Sequence, residues 1–286
     1  MKNIHLRIKT NNQNYFIIIG SHLIKEISKI LNKNSIIFKK CLLVIDNKIN
    51  KEKIFEIKKS LRKKYIHTFY IKANEANKNI RSVNEILETL LKKNFSREDC
   101  LIAIGGGITG DIAGFAASQF KRGLKFINIP TTLLAQVDSS VGGKTGVNTK
   151  YGKNLVGSFY QPKQVFIDPE ILSTLPKRQI LSGYAEIVKH SLINDKKFFN
   201  WLNKNSKKIF SLNKEVLTEA IYKSVLIKRK YVSKDEKEKL NNKYSRSNLN
   251  FGHTFGHALE AYYKYNTKLT HGEAISIGMI IAAKIS

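Results

Sequence analysis

The chain has 286 residues, 42% of them apolar, and a formal net charge of +28. Its length suits one large or two moderate domains. No apolar run reaches ~18 residues, so no membrane span is indicated, and Met1-Lys2-Asn3-Ile4-His5 lacks the apolar stretch of a secretory leader, which makes a cytoplasmic location the expectation.

The lysines are spread along the whole chain, as in Lys25-Glu26-Ile27-Ser28-Lys29, and fall on the polar sides of expected helices. That distribution, with Asn and Ile abundant beside Lys, reflects biased composition rather than specific nucleic-acid binding. Cys41 and Cys100 each open an apolar run, read as small buried residues with no call for a disulfide.

His5 to Thr10 alternates as a half-buried strand, 11–14 is turn-like, and Tyr15 to Ile19 is a second strand. Gly20-Ser21 opens a helix through Leu31, with Ser21 as its expected N-cap. Leu42-Leu43-Val44-Ile45 is apolar throughout, the mark of a strand buried in a parallel sheet, and it ends in Asp46-Asn47. A lysine-rich helix, the strand Thr68–Ile71 and an amphipathic helix from Arg81 to Lys93 follow. Strands alternating with helices indicate a parallel α/β sheet.

Cys100 to Ile104 is another buried strand. It runs into Gly105-Gly106-Gly107-Ile108-Thr109-Gly110-Asp111 and a helix through Phe120. Gly105, Gly107 and Gly110 satisfy G-x-G-x-x-G, which lets backbone approach a pyrophosphate at a helix N-terminus. A tight strand-to-helix turn would use the same glycines. The acid usual about twenty residues downstream is missing, and Lys125 stands there; Asp46 lies upstream instead, which implies a nucleotide fold of a different order.

Leu124 to Ile129 is a further strand, ended by Pro130, and Thr131-Thr132 can cap a short helix or bond a phosphate. Gly142-Gly143-Lys144-Thr145 lacks the earlier glycine and preceding strand of a Walker A site, which is rejected. Lys144, Lys153 and Asn154, in a glycine-flanked loop, suit an anionic, hydroxyl-rich small molecule or, more simply, solvent. Val165 to Asp168 is the last evident strand.

Everything beyond reads as helix. One helix starts at Leu175-Pro176 and carries Glu186 among apolar and small residues, where an unpaired carboxylate is costly. A metal-ligand role or a salt bridge to Lys189 would each resolve that cost. A long helix runs from Lys214 to Lys230, and the charged stretch from Lys234 to Arg246 reads as a loop. His253 and His257 share a helix face. His271, after a polar bend, opens a last helix that is apolar nearly all round. Two such helices can offer imidazoles to one metal ion, or can simply pack.

Taken together, GGGITGD at 105–111, PTTLLAQVDSSVGGKTGVN at 130–148, GKNLVGSFYQP at 152–162, SGYAEIVKH at 182–190, NFGHTFGHALE at 250–260 and HGEA at 271–274 resemble the 3-dehydroquinate synthase family over essentially the whole chain. The resemblance implies an NAD-binding α/β domain with a parallel sheet at 1–168 and an all-α metal- and substrate-binding domain at 169–286, with the active site between them. It implies conversion of 3-deoxy-D-arabino-heptulosonate 7-phosphate to 3-dehydroquinate and phosphate in the shikimate pathway, with NAD, one zinc or cobalt ion per chain and a homodimer. Carried over by position, it makes Glu186, His253 and His271 the metal ligands, replacing the His253/His257 pair. Asp138, Lys144, Asn154, Lys189, Lys228, Arg246, Asn250 and His257 match the substrate pocket, and Arg122 matches an arginine that reaches the neighbouring subunit. Asp46, Glu75, Lys78, Gly106, Gly107, Asp111, Thr131, Thr132, Lys144 and Lys153 match the NAD side.

Two departures accompany the resemblance. The Lys/Asn-rich stretch before Arg246 is longer than usual, which bears on the placement of Lys228. The chain ends at Ser286, before several further helices and a late lysine, so an incomplete helical domain is expected. Another sugar-phosphate cyclase of the same superfamily, or a non-catalytic remnant, are the competing readings.

Overall fold

The computed structural model describes residues 3–10, 13–263 and 268–286. The turn expected at 11–14 and the bend before His271 lie partly outside them. Two compact units are present: one from Gln13–Thr131 and Gly142–Ile171 with the N-terminal strand, the other chiefly from Thr132–Val141 and Leu172–Ser286.

The first unit is a seven-stranded sheet. Its strands are β1 (Ile4–Lys9), β2 (Asn14–Ile19), β3 (Lys40–Asp46), β4 (Tyr65–Ile71), β5 (Cys100–Gly105), β6 (Lys125–Pro130) and β9 (Gln164–Ile167), in the order β1-β2-β9-β6-β5-β3-β4. From β2 to β4 every neighbouring pair is parallel. The apolar runs of β3 and β5 are buried because helices cover both faces. Helices α1 (Ile27–Lys33) and α2 (Lys51–Ser60) pack with Leu43, Ile45, Ile102 and Ile104 on one side; α3 (Ile80–Lys92) and α4 (Gly107–Gln119) pack with Leu42, Val44, Leu101 and Ala103 on the other. The chain steps from β3 out to β4, then returns to place β5 on the far side of β3. The C-terminal ends of β3 and β5 therefore flank a switch in strand order, the usual ligand crevice of such sheets.

Two local expectations are corrected. Ser21 caps nothing: His22 takes a left-handed conformation (φ 60°), a 3₁₀ turn covers Leu23–Lys25, and α1 begins at Ile27 without a side-chain cap. Pro130 ends β6, as expected, and is its last residue. The glycine-flanked loop is an antiparallel hairpin, β7 (Lys144–Thr149) with β8 (Gly152–Phe159). Gly146 and Gly157 lie opposite each other, and a Cβ on Gly157 would stand 2.1 Å from the Thr145 carbonyl oxygen. Glycine, usually a weak strand former, is required there by close backbone approach.

The second unit is helical. It comprises α5 (Lys177–Asn194), α6 (Lys196–Phe210), α7 (Lys214–Lys234), α8 (His253–Tyr262) and α9 (His271–Ile285), with a π-helical turn at Ala135–Ser139 that also clusters here. Helix α6 escaped the sequence reading because lysines and asparagines dilute its stripe of Phe198, Leu202 and Ile209; Asp195 caps it by accepting from the Phe198 N–H at 2.9 Å. Helices α8 and α9 touch through glycine. A Cβ on Gly278 would lie 2.1 Å from the Gly252 carbonyl oxygen, and one on Gly272 would lie 2.3 Å from Ser182 on α5. Helix α9 buries Ala274, Ile275, Gly278 and Met279, while Ile277, Ile280 and Ile285 are exposed. Among the described residues no helix is long and apolar enough to cross a membrane.

Candidate active site

In the first unit the expected cofactor residues gather at the C-terminal ends of the strands. Asp46 ends β3, Gly106 and Gly107 form the start of α4 directly after β5, and Thr131 follows β6, its N–H donating to the Gly105 carbonyl at 2.9 Å. Helix α4 thus offers its free N–H groups and positive dipole end beside an acid at the switch point. Asp46 accepts from the Lys48 N–H at 3.1 Å; burial raises its pKa and the surrounding backbone N–H groups partly offset this.

A second cluster lies at the hairpin. The Lys78 ammonium donates to Asp111 on α4 and, at 2.6 Å, to Asn154 Oδ1 on β8. Lys153 pairs with Glu75 at 3.3 Å, and Asn148 donates to the same carboxylate at 2.8 Å. These groups border a cleft of ≈ 580 Å³ lined by Glu75, Lys78, Asn79, Asn148 and Val156. Lys144 begins β7 and is exposed. Arg122 is not brought to this end of the sheet: it follows α4, next to the start of β6, with φ 64°.

In the second unit the site is made by buried side chains. Glu186 on α5 is wholly buried. Its Oε2 accepts from Lys189, one turn on, which is 2% exposed. Its Oε1 has no hydrogen-bond partner among the described residues, yet it stands 3.7 Å from His271 Nε2 and 3.9 Å from His253 Nε2. The salt bridge to Lys189 is thus formed on Oε2, while Oε1 is left facing the two imidazoles. Burial pushes the Glu186 carboxyl up, but Lys189 and His271 pull it well below the usual carboxylate range. Burial, then Lys189, holds His253 down to about 4. Burial lowers His271 too, but the attraction of the Glu186 and Glu260 carboxylates wins and lifts it to about 9.

Beside this group the Lys228 ammonium on α7 donates to the Asp138 carboxylate and, at 2.7 Å, to the Asp138 carbonyl. Burial pulls Lys228 down to about 8; Asp138 is raised by burial but driven well below its usual range by Lys228 and Lys189. Arg246, 3% exposed, donates to the Glu236 carbonyl at 2.9 Å, while the Asp235 carboxylate accepts the Arg246, Lys239 and Leu240 N–H groups and so shapes the loop that presents it. Asn250 is exposed and donates to Glu238 at 3.1 Å. His257 is exposed, its ring 5.1 Å from that of His253 and 6.2 Å from that of His271. Thr132 accepts from the Ala135 N–H at 3.1 Å and so caps the turn that carries Asp138. The sequence reading did not single out His190, which is fully buried with Nδ1 2.6 Å from Ser224 Oγ and is held down to about 3 by burial and Lys189. Its place at the end of SGYAEIVKH was the available signal.

Among the described residues, three groups of side chains could chelate a cation: Glu186/His253/His271, His257/Glu260/His271 and Asp138/Glu186/His190. In the last, the Asp138 carboxylate already holds the Lys228 ammonium, which a cation would have to displace. The first offers a buried carboxylate oxygen with no hydrogen-bond partner and two imidazole nitrogens, the donor set of a catalytic zinc or cobalt site.

The comparisons follow the same pattern. Residues 68–182 match a family model described as the 3-dehydroquinate synthase N-terminal domain, and 183–286 match the one for the C-terminal domain. The 3-dehydroquinate synthase of Pelagibacter ubique is 59% identical over 99% of this chain and 76% of its own length. A solved 2-deoxy-scyllo-inosose synthase, complexed with carbaglucose-6-phosphate, NAD⁺ and Co²⁺, superposes with a TM-score of 0.87 at 32% identity over 99% of this chain and 75% of that one. The 2-epi-5-epi-valiolone synthase of Streptomyces hygroscopicus, with NAD⁺ and Zn²⁺ bound, gives 0.84 at 26% identity over 95% and 74%. With the glycine loop on a switched parallel sheet, the Glu-His-His cluster on helices and both halves of the family pattern matched, the chain belongs to the 3-dehydroquinate synthase family.

Proposed function

We propose that the chain converts 3-deoxy-D-arabino-heptulosonate 7-phosphate to 3-dehydroquinate and phosphate, in the cytoplasm, as a homodimer, using NAD and one zinc or cobalt ion. The observation that carries this reading is the orphaned Glu186 Oε1 facing two imidazole Nε2 atoms, with the ammonium groups of Lys189 and Lys228 buried close by. A cation-binding carboxylate set among buried cationic groups suits a substrate carrying both a carboxylate and a phosphate.

In this reading residues 1–168 bind the nucleotide. Asp46 accepts from a ribose hydroxyl, Gly106 and Gly107 admit the pyrophosphate to the α4 N-terminus, and Glu75, Lys78, Asp111, Thr131, Thr132, Lys144 and Lys153 complete its surroundings. Residues 169–286 hold the ion on Glu186, His253 and His271. When bound, NAD supplies reversible hydride acceptance and the divalent ion polarises a substrate oxygen. Lys189, Lys228, Arg246, Asn250 and His257, with Asp138, Lys144 and Asn154, fix the substrate's anionic and hydroxyl groups in one conformer, so that orientation is supplied before the chemistry begins. Arg122 is assigned to the neighbouring subunit's site.

The test is phosphate release from the heptulosonate phosphate with NAD⁺ and Zn²⁺, run beside sugar phosphates lacking the carboxylate. Release from the carboxylated substrate, without net NADH, is expected. Turnover of only the uncarboxylated sugars would assign the chain to another cyclase of the superfamily. No release from any of them, with metal and NAD⁺ bound, would leave a non-catalytic protein.

A further inference from the structure

The two imidazoles that face Glu186 are both tied by their other nitrogen. His253 Nδ1 lies 3.3 Å from the Phe251 carbonyl oxygen, and His271 Nδ1 lies 3.2 Å from Glu260 Oε2. Glu260 comes from α8, two helical turns beyond His253 and therefore on the same face. It is 6% exposed. A carboxylate so placed is costly unless it is used.

We propose that Glu260 is a positioning residue of the metal centre: its carboxylate keeps the proton on His271 Nδ1 and aims the ring's Nε2 at the side on which Glu186 Oε1 stands. The inference rests on the reading of Glu186, His253 and His271 as ligands. A neutral imidazole offers one lone pair, and whichever nitrogen donates a hydrogen bond leaves the other to bind. Phe251 does this for His253 through backbone. Glu260 does it for His271 through a charge, which also raises the basicity of the ligating nitrogen.

The rival is that Glu260 itself binds the ion, with His257 and His271. That arrangement calls on the Nδ1 side of His271 and leaves the buried Glu186 Oε1 without a partner. Ligation through Nε2 satisfies Oε1 and keeps the Glu260 hydrogen bond.

The experiment is competition between a chromophoric chelator and the metal-stripped protein for Zn²⁺ and Co²⁺, with the visible spectrum of the Co²⁺ form and circular dichroism as a check on folding. Glu260→Ala is expected to weaken binding ~10–100-fold while leaving the Co²⁺ band positions in place. Glu260→Gln, whose amide oxygen still accepts the Nδ1–H, is expected to weaken it by a smaller factor. Wild-type affinity in both variants overturns the proposal. Loss in both as complete as in His271→Ala, with the Co²⁺ bands moved, overturns it as well and makes Glu260 a ligand. If Glu260→Ala does not fold, the Gln variant decides: reduced affinity with unmoved bands supports the role, and unchanged affinity refutes it. His271→Ala separates the two levels of the argument, since full metal retained there defeats the ligand assignment itself, and the positioning role with it.

Discussion

The two units build their candidate sites from opposite materials. In the first, the ligand-facing groups are backbone ends: the glycine turn after β5, the free N–H groups of α4 and the tip of β3, with Asp46 partly exposed. In the second they are titratable side chains sunk among helices, where burial and neighbouring charges shift the protonation of Glu186, Asp138, Lys228, His190 and His271. A backbone site is cheap to hold, because sheet and helix geometry already supply it. A buried charged site holds only while each member keeps its partner, so the two should fail differently when a charge is removed.

The largest expected difference comes from deleting one carboxylate in each unit. Glu186→Ala strands Lys189, whose ammonium is 2% exposed, and removes a proposed ligand. The expected cost is about 3–5 kcal/mol of stability, with no metal retained after gel filtration. Asp111→Ala in the first unit breaks the Lys78 pair, but Asp111 is 19% exposed and Lys78 keeps Asn154. Its expected cost is about 1–2 kcal/mol. Urea unfolding of both variants measures the gap; equal losses would erase the distinction between the sites.

Smaller in size, and specific to the helical unit, is a pH effect at Lys228. Burial brings its pKa down to about 8 from 10.5. Above that value it loses the charge that would hold an anionic substrate, so kcat/KM should fall about tenfold per pH unit beyond pH 8. Stability should move the other way. Between pH 8 and 10.5 the unfolded chain binds more protons at this group than the folded one, so its contribution to stability rises with pH over that window. Lys228→Arg should remove the alkaline fall in kcat/KM. A fall that persists unchanged in that variant would assign it to another group.

The same contrast governs what could be read before the structure. Runs such as Leu42–Ile45 and Cys100–Ile104 were legible because a strand buried on both faces has nothing polar to show, and the α3 stripe was legible by period. The β7–β8 hairpin was not, because its glycines serve a cross-strand contact that has no local signature. Nor was the clustering of 132–141 with the helices, which follows from where the turn carrying Asp138 packs. His253 and His271 stood out by density along the chain. The setting of Glu186 between Lys189 and two imidazoles, the hydrogen bond of Glu260 to His271 and the burial of His190 against Ser224 did not, since they join α5, α7, α8 and α9 across separations that periodicity cannot see.

The finest test returns to the backbone-built site. The Asp46 carboxylate is fixed at the end of β3 by the Lys48 N–H, and burial has raised its pKa without any cation of the second unit's kind clamped on it. Such a group should discriminate ligands with little bearing on folding. An ionised acid there accepts from a ribose 2′-hydroxyl and repels a 2′-phosphate. Asp46→Asn keeps shape and one acceptor but loses the charge, so NAD⁺ binding should weaken by about tenfold, the scale of the difference between a charge-assisted and a neutral hydrogen bond. NADP⁺ binding should improve as the repulsion disappears, and the midpoint of urea unfolding should stay close to that of the parent chain. Titrations of both dinucleotides, followed by fluorescence, give the ratio directly. An unchanged preference for NAD⁺ would remove Asp46 from the ribose, and a large loss of stability would place it with the second unit's interdependent charges instead.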